Sequence, residues 1–289
     1  MSLEKQPFIS IVIANYNYGR FLEEAIKSVL QQCDEEMRLP TGDRIELIVV
    51  DGGSTDNSVE IINKYADRLA WWCSEKDRGQ SHAFNKGFSK ASGKLLTWLN
   101  ADDILLPGTV AVLKQAVETH PDCEWFTGNF YRFLQLNGSI VEVGWGPHYY
   151  PAFLQGPHAP IAVFGPTTFF SKKIYEQVGH IDESMHFMMD TDLWVRFMNA
   201  GVKQRRLNHL CWGFRMHDDS KTAEFEDHEL DGISRMAFRT EAESFVRRTG
   251  YRTSQILRIG LVVWRLLDGS YLRGCLLSRR LRRKGLIAK

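Results

Sequence analysis

Two adjacent carboxylates, Asp102 and Asp103, close the tetrapeptide Asn100-Ala101-Asp102-Asp103, which follows an apolar run at 95–99. A pair of hard oxygen donors where a strand ends is a site for Mg2+ or Mn2+. An ion held there can bridge a diphosphate and take up its charge as it leaves. The same four residues also read as a solvated turn whose acids cap a helix, and taken alone they divide evenly between the two. A second polar loop, Asp51-Gly52-Gly53-Ser54-Thr55-Asp56, follows another buried run. Its glycines let the backbone approach a ligand, and a helix N-terminus behind it favours polar or anionic groups. Taken alone, this loop reads more readily as a plain strand-to-helix turn. No G-x-G-x-x-G follows the first strand, and no G-x-x-x-x-G-K-[ST] loop occurs.

The elements that must carry these loops are short and alternating. Residues 9–14 (I-S-I-V-I-A), 45–50 (I-E-L-I-V-V), 69–74 and 95–99 read as buried strands. Between them, Leu22, Ala25, Ile26, Val29 and Leu30 recur at helical spacing, as do Val59, Ile62 and Ala66, then Ala83, Phe84, Gly87, Phe88 and Ala91. Pro107 suits the first turn of a helix with Val110, Leu113 and Val117. The alternation predicts an α/β fold with a mostly parallel sheet covered by helices. Ligands in such sheets sit beyond the carboxyl ends of the strands. The loops there are polar: Asn15-Tyr16-Asn17, 51–56, 75–79 and 100–103.

From about residue 120 the pattern loosens. Aromatic residues, Gly and Pro crowd 125–170, which suggests short strands and binding loops. Helices are expected over about 190–200, over 226–249 and, as one or two basic helices, over 252–283. Trp145, His148, Tyr149 and Tyr150 read either as a stacking platform for a sugar or as core. His209 and Cys211 lie among apolar residues and read as core, and Arg215 and Lys221 as solvated charges.

The 289-residue chain is 44% hydrophobic and 25% charged, which excludes a disordered or fibrous class. Five cysteines, with no CxxC pair, argue against a disulfide framework or a structural zinc site and for a reducing compartment. No run of 18 apolar residues predicts a spanning helix, and the first residues lack the apolar core of a signal peptide. Residues 247–289 hold ten Arg, two Lys and one Asp, a charge of +11, so against the total of +1 the first 246 residues carry −10. A nucleic-acid binder fits poorly, because the main body is acidic and the basic tail lacks interleaved aromatics.

Taken together, the ordered motifs resemble one family. They are Asn15-Tyr16-Asn17, Val50-Asp51-Gly52-Gly53-Ser54-Thr55-Asp56, Asp77-Arg78-Gly79-Gln80, Ala83-Phe84-Asn85-Lys86-Gly87, Leu99-Asn100-Ala101-Asp102-Asp103 and Met189-Asp190-Thr191-Asp192-Leu193-Trp194. Over about residues 7–222 the chain resembles a family 2 glycosyltransferase, of the inverting type with a GT-A fold. The resemblance implies a catalytic domain over 1–225, with a nucleotide-sugar half at 7–103 and an acceptor half at 104–225. A basic helical extension follows at 226–289.

The resemblance also implies roles. Asp51 would bond the nucleotide base, and Asp77 would lie beside base and ribose. Asp102 would sit against ribose and metal, Asp103 would ligate the metal, and His217 would close over the diphosphate or metal. Ala14, Asn15, Tyr16, Gly52, Gly79, Asn85 and Asn100 would complete the nucleotide-sugar site, and Asp190 would be the general base. Two positions depart from the family pattern: one often acidic is His82, and one often Glu is Met189.

An inverting transfer needs one base for the hydroxyl proton and one cation for the leaving charge, and no carboxylate nucleophile. Asp192 and Asp182 rival Asp190 for the base; residues two apart cannot share a helical face, so only one of 190 and 192 can point into a cleft. The implied partners are a nucleoside-diphosphate sugar, most readily a UDP-sugar, and a saccharide or lipid-linked acceptor, with Mg2+ or Mn2+ as cofactor. A sugar-phosphate nucleotidyltransferase would need a Gly-rich, Arg-containing loop after the first strand, where Ala14-Asn15-Tyr16-Asn17 stands. An inert GT-A scaffold at a membrane is the other alternative. The tail predicts a basic amphipathic helix lying on an anionic membrane, on the inner face for a cytoplasmic enzyme; packing on the catalytic domain or in a homodimer is the competing reading.

Overall fold

The computed structural model describes residues 6–37, 44–136, 139–145, 165–217, 219, 232–251, 259 and 263. Strands β1 (Ile9–Asn15), β2 (Ile45–Asp51), β3 (Trp71–Ser74) and β4 (Leu95–Asn100) alternate with helices α1 (Gly19–Met37), α2 (Ser58–Lys64) and α3 (Gln80–Lys90). After the two-residue strand β5 (Ile104–Leu105) come α4 (Thr109–Thr119), β6 (Trp125–Leu136), β7 (Ser139–Trp145), β8 (Thr168–Ser171) and α5 (Lys172–Val178). The chain continues through α6 (Met189–Asn199), β9 (Gln204–Arg215) and α7 (Gly232–Thr249).

The nine strands form one sheet in the order β3-β2-β1-β4-β8-β6-β9-β5, with β7 paired to β6. The first four strands are parallel, as the alternation predicts. Beyond β4 the sheet is mixed: β8 runs antiparallel to both β4 and β6, whereas β6 and β9 are parallel. A parallel pair needs a crossover. The stretch after β5 supplies one helix, α4, before the long strand β6, and the return through β8 then pairs antiparallel.

Side chains on β1 alternate between two cores, as a strand buried on both faces requires. Ile9, Ile11 and Ile13 pack with Leu22, Ile26 and Val29 of α1. Val12 packs on the other face with Phe84 and Phe88 of α3, Trp98 of β4 and Trp194 of α6. Trp98 and Trp194 stack with rings 5.5 Å apart and nearly parallel. This stack holds α6 against the parallel strands and so brings 190 toward the half of the chain carrying 51 and 102.

Helix α4 begins two residues after Pro107, behind Gly108 at φ 75°, so the proline precedes the first turn instead of forming it. The region 125–145 forms two strands, β6 at 12 residues longer than expected. The expected helix at 226–249 is described from Gly232, and its Phe245 is buried in the core that holds Trp194. The expected helices at 252–283 lie outside the described residues except for 259 and 263, and so do His148, Tyr149, Tyr150 and Lys221. No described helix is long and apolar enough to cross a membrane.

Candidate active site at the carboxyl edge of the parallel strands

Register explains why the polar loops meet. Asn15 pairs with Asp51, Asp51 with Ser74, and Ala14 with Asn100, so β1, β2, β3 and β4 end at one level. The loop after β1 is stapled to the loop after β2. Asn15 Nδ2 donates to Asp51 Oδ1 at 2.6 Å, and the Asn17 amide donates to Ser54 Oγ at 2.8 Å. Asn17, at φ 56°, accepts from the Thr55 amide at 2.8 Å on Oδ1. Tyr16 is left projecting, 59% exposed.

Asp51 is fully buried. Its Oδ1 accepts from Asn15 Nδ2 and Ser54 Oγ, and its Oδ2 from Ser74 Oγ and the amides of Gly53 and Ser54. Burial pushes its pKa up, but the bonds from Ser54, Ser74 and Asn15 outweigh this and hold it below the usual carboxylate value. Five accepted bonds fill the roughly four lone-pair sites of a carboxylate. The bond to a base expected of Asp51 would need one of them to open, so in this geometry Asp51 shapes the loop. Asn15 Oδ1, beside it, is a buried acceptor with no partner among the described residues.

Gly52 abuts Asp77, where a Cβ would lie 2.7 Å from Asp77 Oδ2. Any side chain at 52 would therefore displace that carboxylate. Asp77 Oδ1 in turn accepts from the Gly79 amide at 2.8 Å, and Gly79 takes φ 107°, a conformation open chiefly to glycine. The next residue, Gln80, donates to Asn100 Oδ1 at 2.9 Å and ties this loop to the end of β4. Asn85 is placed elsewhere. Its amide nitrogen donates to Ile181 O and Glu183 Oε1, and its Oδ1 accepts from Tyr175 Oη and the Ile181 amide. Expected at the nucleotide sugar, Asn85 instead anchors α3 to the 181–183 turn.

The acidic pair divides. Asp103 is fully buried, its Oδ1 accepts from the Arg215 amide at 2.9 Å, and its Oδ2 accepts from Asn100 Nδ2 at 2.9 Å. Burial, then the charge of Asp102, pushes its pKa well above the usual carboxylate range. The metal-ligand role expected of Asp103 does not suit a side chain so enclosed. Asp102 remains partly open, and its Oδ2 lies 3.0 Å from His217 Nε2. The imidazole packs against Phe21, with ring centres 4.8 Å apart, and edge-on to Tyr18 at 5.6 Å. His217 Nδ1 is buried with no partner among the described residues, so the ring meets its hydrogen-bonding surroundings through Nε2. One carboxylate oxygen and one imidazole nitrogen form a donor set that suits Mn2+ and leaves positions for phosphate oxygens and water. Among the described residues no cluster of three or more His, Cys, Asp or Glu side chains is placed to hold an ion by itself.

Arg215, expected as a solvated charge, is 1% exposed. Its Nε donates to Asp102 O at 2.7 Å, and a terminal nitrogen reaches Glu24 Oε2 at 2.5 Å. The guanidinium lies over Phe21 at 4.8 Å and Phe133 at 4.7 Å. It thus grips the turn that carries both carboxylates. A lone Arg near a strand end shows none of this in sequence, because Glu24, Phe21 and Phe133 come from α1 and β6. Cys211 is buried as expected, while His209 is half-buried with Nε2 3.1 Å from Pro107 O.

Asp190 lies in the first turn of α6. Its Oδ1 accepts from the Thr191 amide at 2.6 Å. Its neighbour Met189 touches Ser81, whose Oγ is 3.0 Å from the thioether sulfur, and Ser81 follows Gln80. A chain of contacts therefore runs from Met189, the neighbour of Asp190, through Ser81 and its neighbour Gln80 to Asn100 and Asp103. Asp192 is 2% exposed and bound by Arg196 at 2.9 Å and Arg248 at 2.6 Å. Asp182 accepts from Ser184 and pairs with Arg248. Both rivals of Asp190 are thus engaged by cations.

A parallel edge of nucleotide-binding type, joined to a mixed sheet that carries His217, defines a GT-A class of α/β fold. The solved structure of S. aureus TarS residues 1–349 with UDP-GlcNAc superposes with a TM-score of 0.60 at 16% identity, covering 75% of this chain and 60% of that one. A mannosyltransferase of Pyrobaculum calidifontis, solved with GDP-Man and Mn2+, gives 0.53 at 14% identity over 95% and 85% of the two chains. Residues 10–179 match the model of glycosyl transferase family 2, and the chain belongs to that family.

Among its relatives, an uncharacterised glycosyltransferase of Nostoc sp. is 37% identical over 114 residues, 38% of this chain and 33% of its own length. The glycosyltransferase GlyG of Streptococcus pneumoniae is 34% identical over 135 residues, 46% and 42% of the two chains. The matches span between a third and a half of those relatives.

Proposed function

We propose that the protein moves a sugar from a nucleoside-diphosphate sugar to a hydroxyl of a saccharide or lipid-linked acceptor, with inversion at the anomeric carbon. The observation that carries this is the meeting of Asp102 and His217 at 3.0 Å where β4 and β9 end, above a loop edge level with Asn15 and Asp51. Asp102 and His217 would hold the divalent ion, two of the three residues, with Asp103, expected at the metal from the sequence. That ion, when bound, supplies positive charge to the departing diphosphate. Arg215 holds the Asp102 turn, and the stapled loops 15–17 and 51–56 form a floor for the nucleoside. Tyr16 offers an exposed ring for stacking on the base. The unpartnered acceptor Asn15 Oδ1 complements the imide N–H of uracil, and this with the UDP-sugar complex of the TarS neighbour supports UDP over other nucleotides.

Asp190 would accept the proton of the attacking hydroxyl. It stands in the first turn of α6, where the helix dipole favours negative charge. Arg248 and Arg196 hold Asp192 and Asp182 in ion pairs. The reading is tested by thermal denaturation with UDP and GDP, each with and without Mn2+. The expected result is stabilisation by UDP that requires Mn2+, by about 2.7 kcal/mol at a hundredfold excess over Kd. No stabilisation by either nucleotide with the metal would overturn it.

The tail at 252–283 is read as a peripheral anchor on an anionic membrane. Ile259 and Val263, one helical turn apart, are 65% and 48% exposed and share an apolar face. Each basic residue near such a surface contributes about 1 kcal/mol, screened by salt. The full chain is expected to sediment with phosphatidylserine vesicles at low salt and less at high salt, and a chain ending at Gly250 is expected to stay in solution. Equal sedimentation of the two would reject the anchor, and a fall in oligomer mass on truncation would favour a dimer contact.

A further inference from the structure

Helix α7 lies beyond the stretch matched to the family, yet it reaches the segment that carries Asp190. Three consecutive amides, of His186, Phe187 and Met188, converge on the Glu241 carboxylate at 3.0, 2.8 and 2.6 Å. Met188 is the residue that caps α6, and its own side chain makes no capping bond. The N-terminus of a helix leaves backbone donors without intrahelical partners. Here the amides that lead into α6 are met by a carboxylate more than fifty residues away in sequence.

Seven residues on, and so on the same side of α7, Arg248 completes the clamp. It binds Asp192 Oδ1 at 2.6 Å, pairs with Asp182 and touches Met185 Sδ at 3.3 Å. Between the two, Phe245 is buried against the Trp194 core. The loop 182–188 and the first turn of α6 are therefore held by Glu241 at one end and Arg248 at the other.

We propose that Glu241, assisted by Arg248, is a positioning residue that sets where α6 begins and thereby where Asp190 stands. This rests on the reading of Asp190 as the general base. Glu241 acts through the backbone amides of 186–188. It fixes the backbone from which the base projects, and a misplacement of about 1 Å at a reacting group can cost 10² in rate. Helix α7, at the start of the C-terminal extension, is thus coupled to catalysis.

The test measures nucleotide release by the full chain with Mn2+ from UDP-GlcNAc, UDP-glucose, UDP-galactose and GDP-mannose, using the donor that the parent turns over. Glu241→Ala is expected to lower kcat by about ten- to a hundredfold with KM for the donor within twofold. Glu241→Gln keeps Oε1, which takes two of the three amides, and is expected to recover most of the rate. Where Glu241→Ala does not fold, Arg248→Lys carries the same test, with a lowered kcat and steady KM expected. Unchanged kcat in Glu241→Ala or, where that does not fold, in Arg248→Lys, or a loss of donor affinity as large as the loss of rate, overturns the proposal. Asp190→Asn separates the two levels. If it is inactive while Glu241→Ala behaves as the parent, only the positioning role fails. If Asp190→Asn retains full turnover, or the parent turns over none of the four donors, the base reading fails and the positioning role falls with it.

Discussion

Asp190→Asn is expected to bind UDP with Mn2+ as the parent does and to lose about 10²–10⁴ of its transfer rate, the usual contribution of a positioned general base. The amide is isosteric with the carboxylate. It can still accept from the Thr191 amide that Asp190 Oδ1 now engages, so the start of α6 is preserved. What it cannot do is take a proton. An interaction needed only in the transition state lowers kcat without weakening the ground state. The control is Asp192→Asn, which breaks a buried pair with Arg196 and Arg248 and should be read out in stability. Truncating one partner of a buried pair costs about 3–5 kcal/mol, and this isosteric change should cost less. If Asp192→Asn abolishes transfer in a folded protein and Asp190→Asn does not, the base is the other carboxylate.

Asp102→Ala is expected to abolish the Mn2+-dependent part of UDP binding, a weakening of more than about 100-fold, since outer-shell partners of a metal alone are worth 10–100-fold. His217→Ala should share the effect, because Nε2 faces the same Asp102 oxygen at 3.0 Å. Asp103→Asn should behave differently. Its loss is structural: one of two oxygens that accept from Arg215 and Asn100 becomes a donor, at a cost of about 1–3 kcal/mol. Its UDP affinity with Mn2+ should stay within about tenfold of the parent, as measured by calorimetry. Loss of metal-dependent binding in Asp103→Asn with retention in Asp102→Ala would reinstate Asp103 as the ligand.

The two carboxylates show where sequence reading stops. Adjacent residues after a strand face different ways, and periodicity tells that they differ but not which is buried. Only the approach of β9, pairing antiparallel with β5 through Gly213 and Trp212, sets Arg215 over Asp103 and His217 over Asp102. Asn85 is a similar case. A polar residue on the helix after a glycine loop reads as a ligand group, and the turn at 181–183, nearly a hundred residues later, takes three of its four bonds, with Tyr175 supplying the fourth. Glu241 carries no local signal at all, because its partners are backbone amides.

What the sequence determined by itself is the parallel half and its edge. β-branched runs separated by amphipathic stretches admit few arrangements, and equal strand ends follow once those runs pair in register. The loops at 15–17, 51–56, 77–80 and 100–103 were bound to meet there, whatever came after. Tertiary structure decided how each acid is used. Burial, a neighbouring cation and a hydrogen-bond donor from a distant strand or helix set whether a carboxylate stays open, as Asp102 does, or is enclosed, as Asp51, Asp103 and Asp192 are. For Asp103 and Asp192 the partners include Arg215 of β9 and Arg248 of α7, at sequence separations that local pattern does not span, because such side-chain contacts form only when the whole sheet has closed.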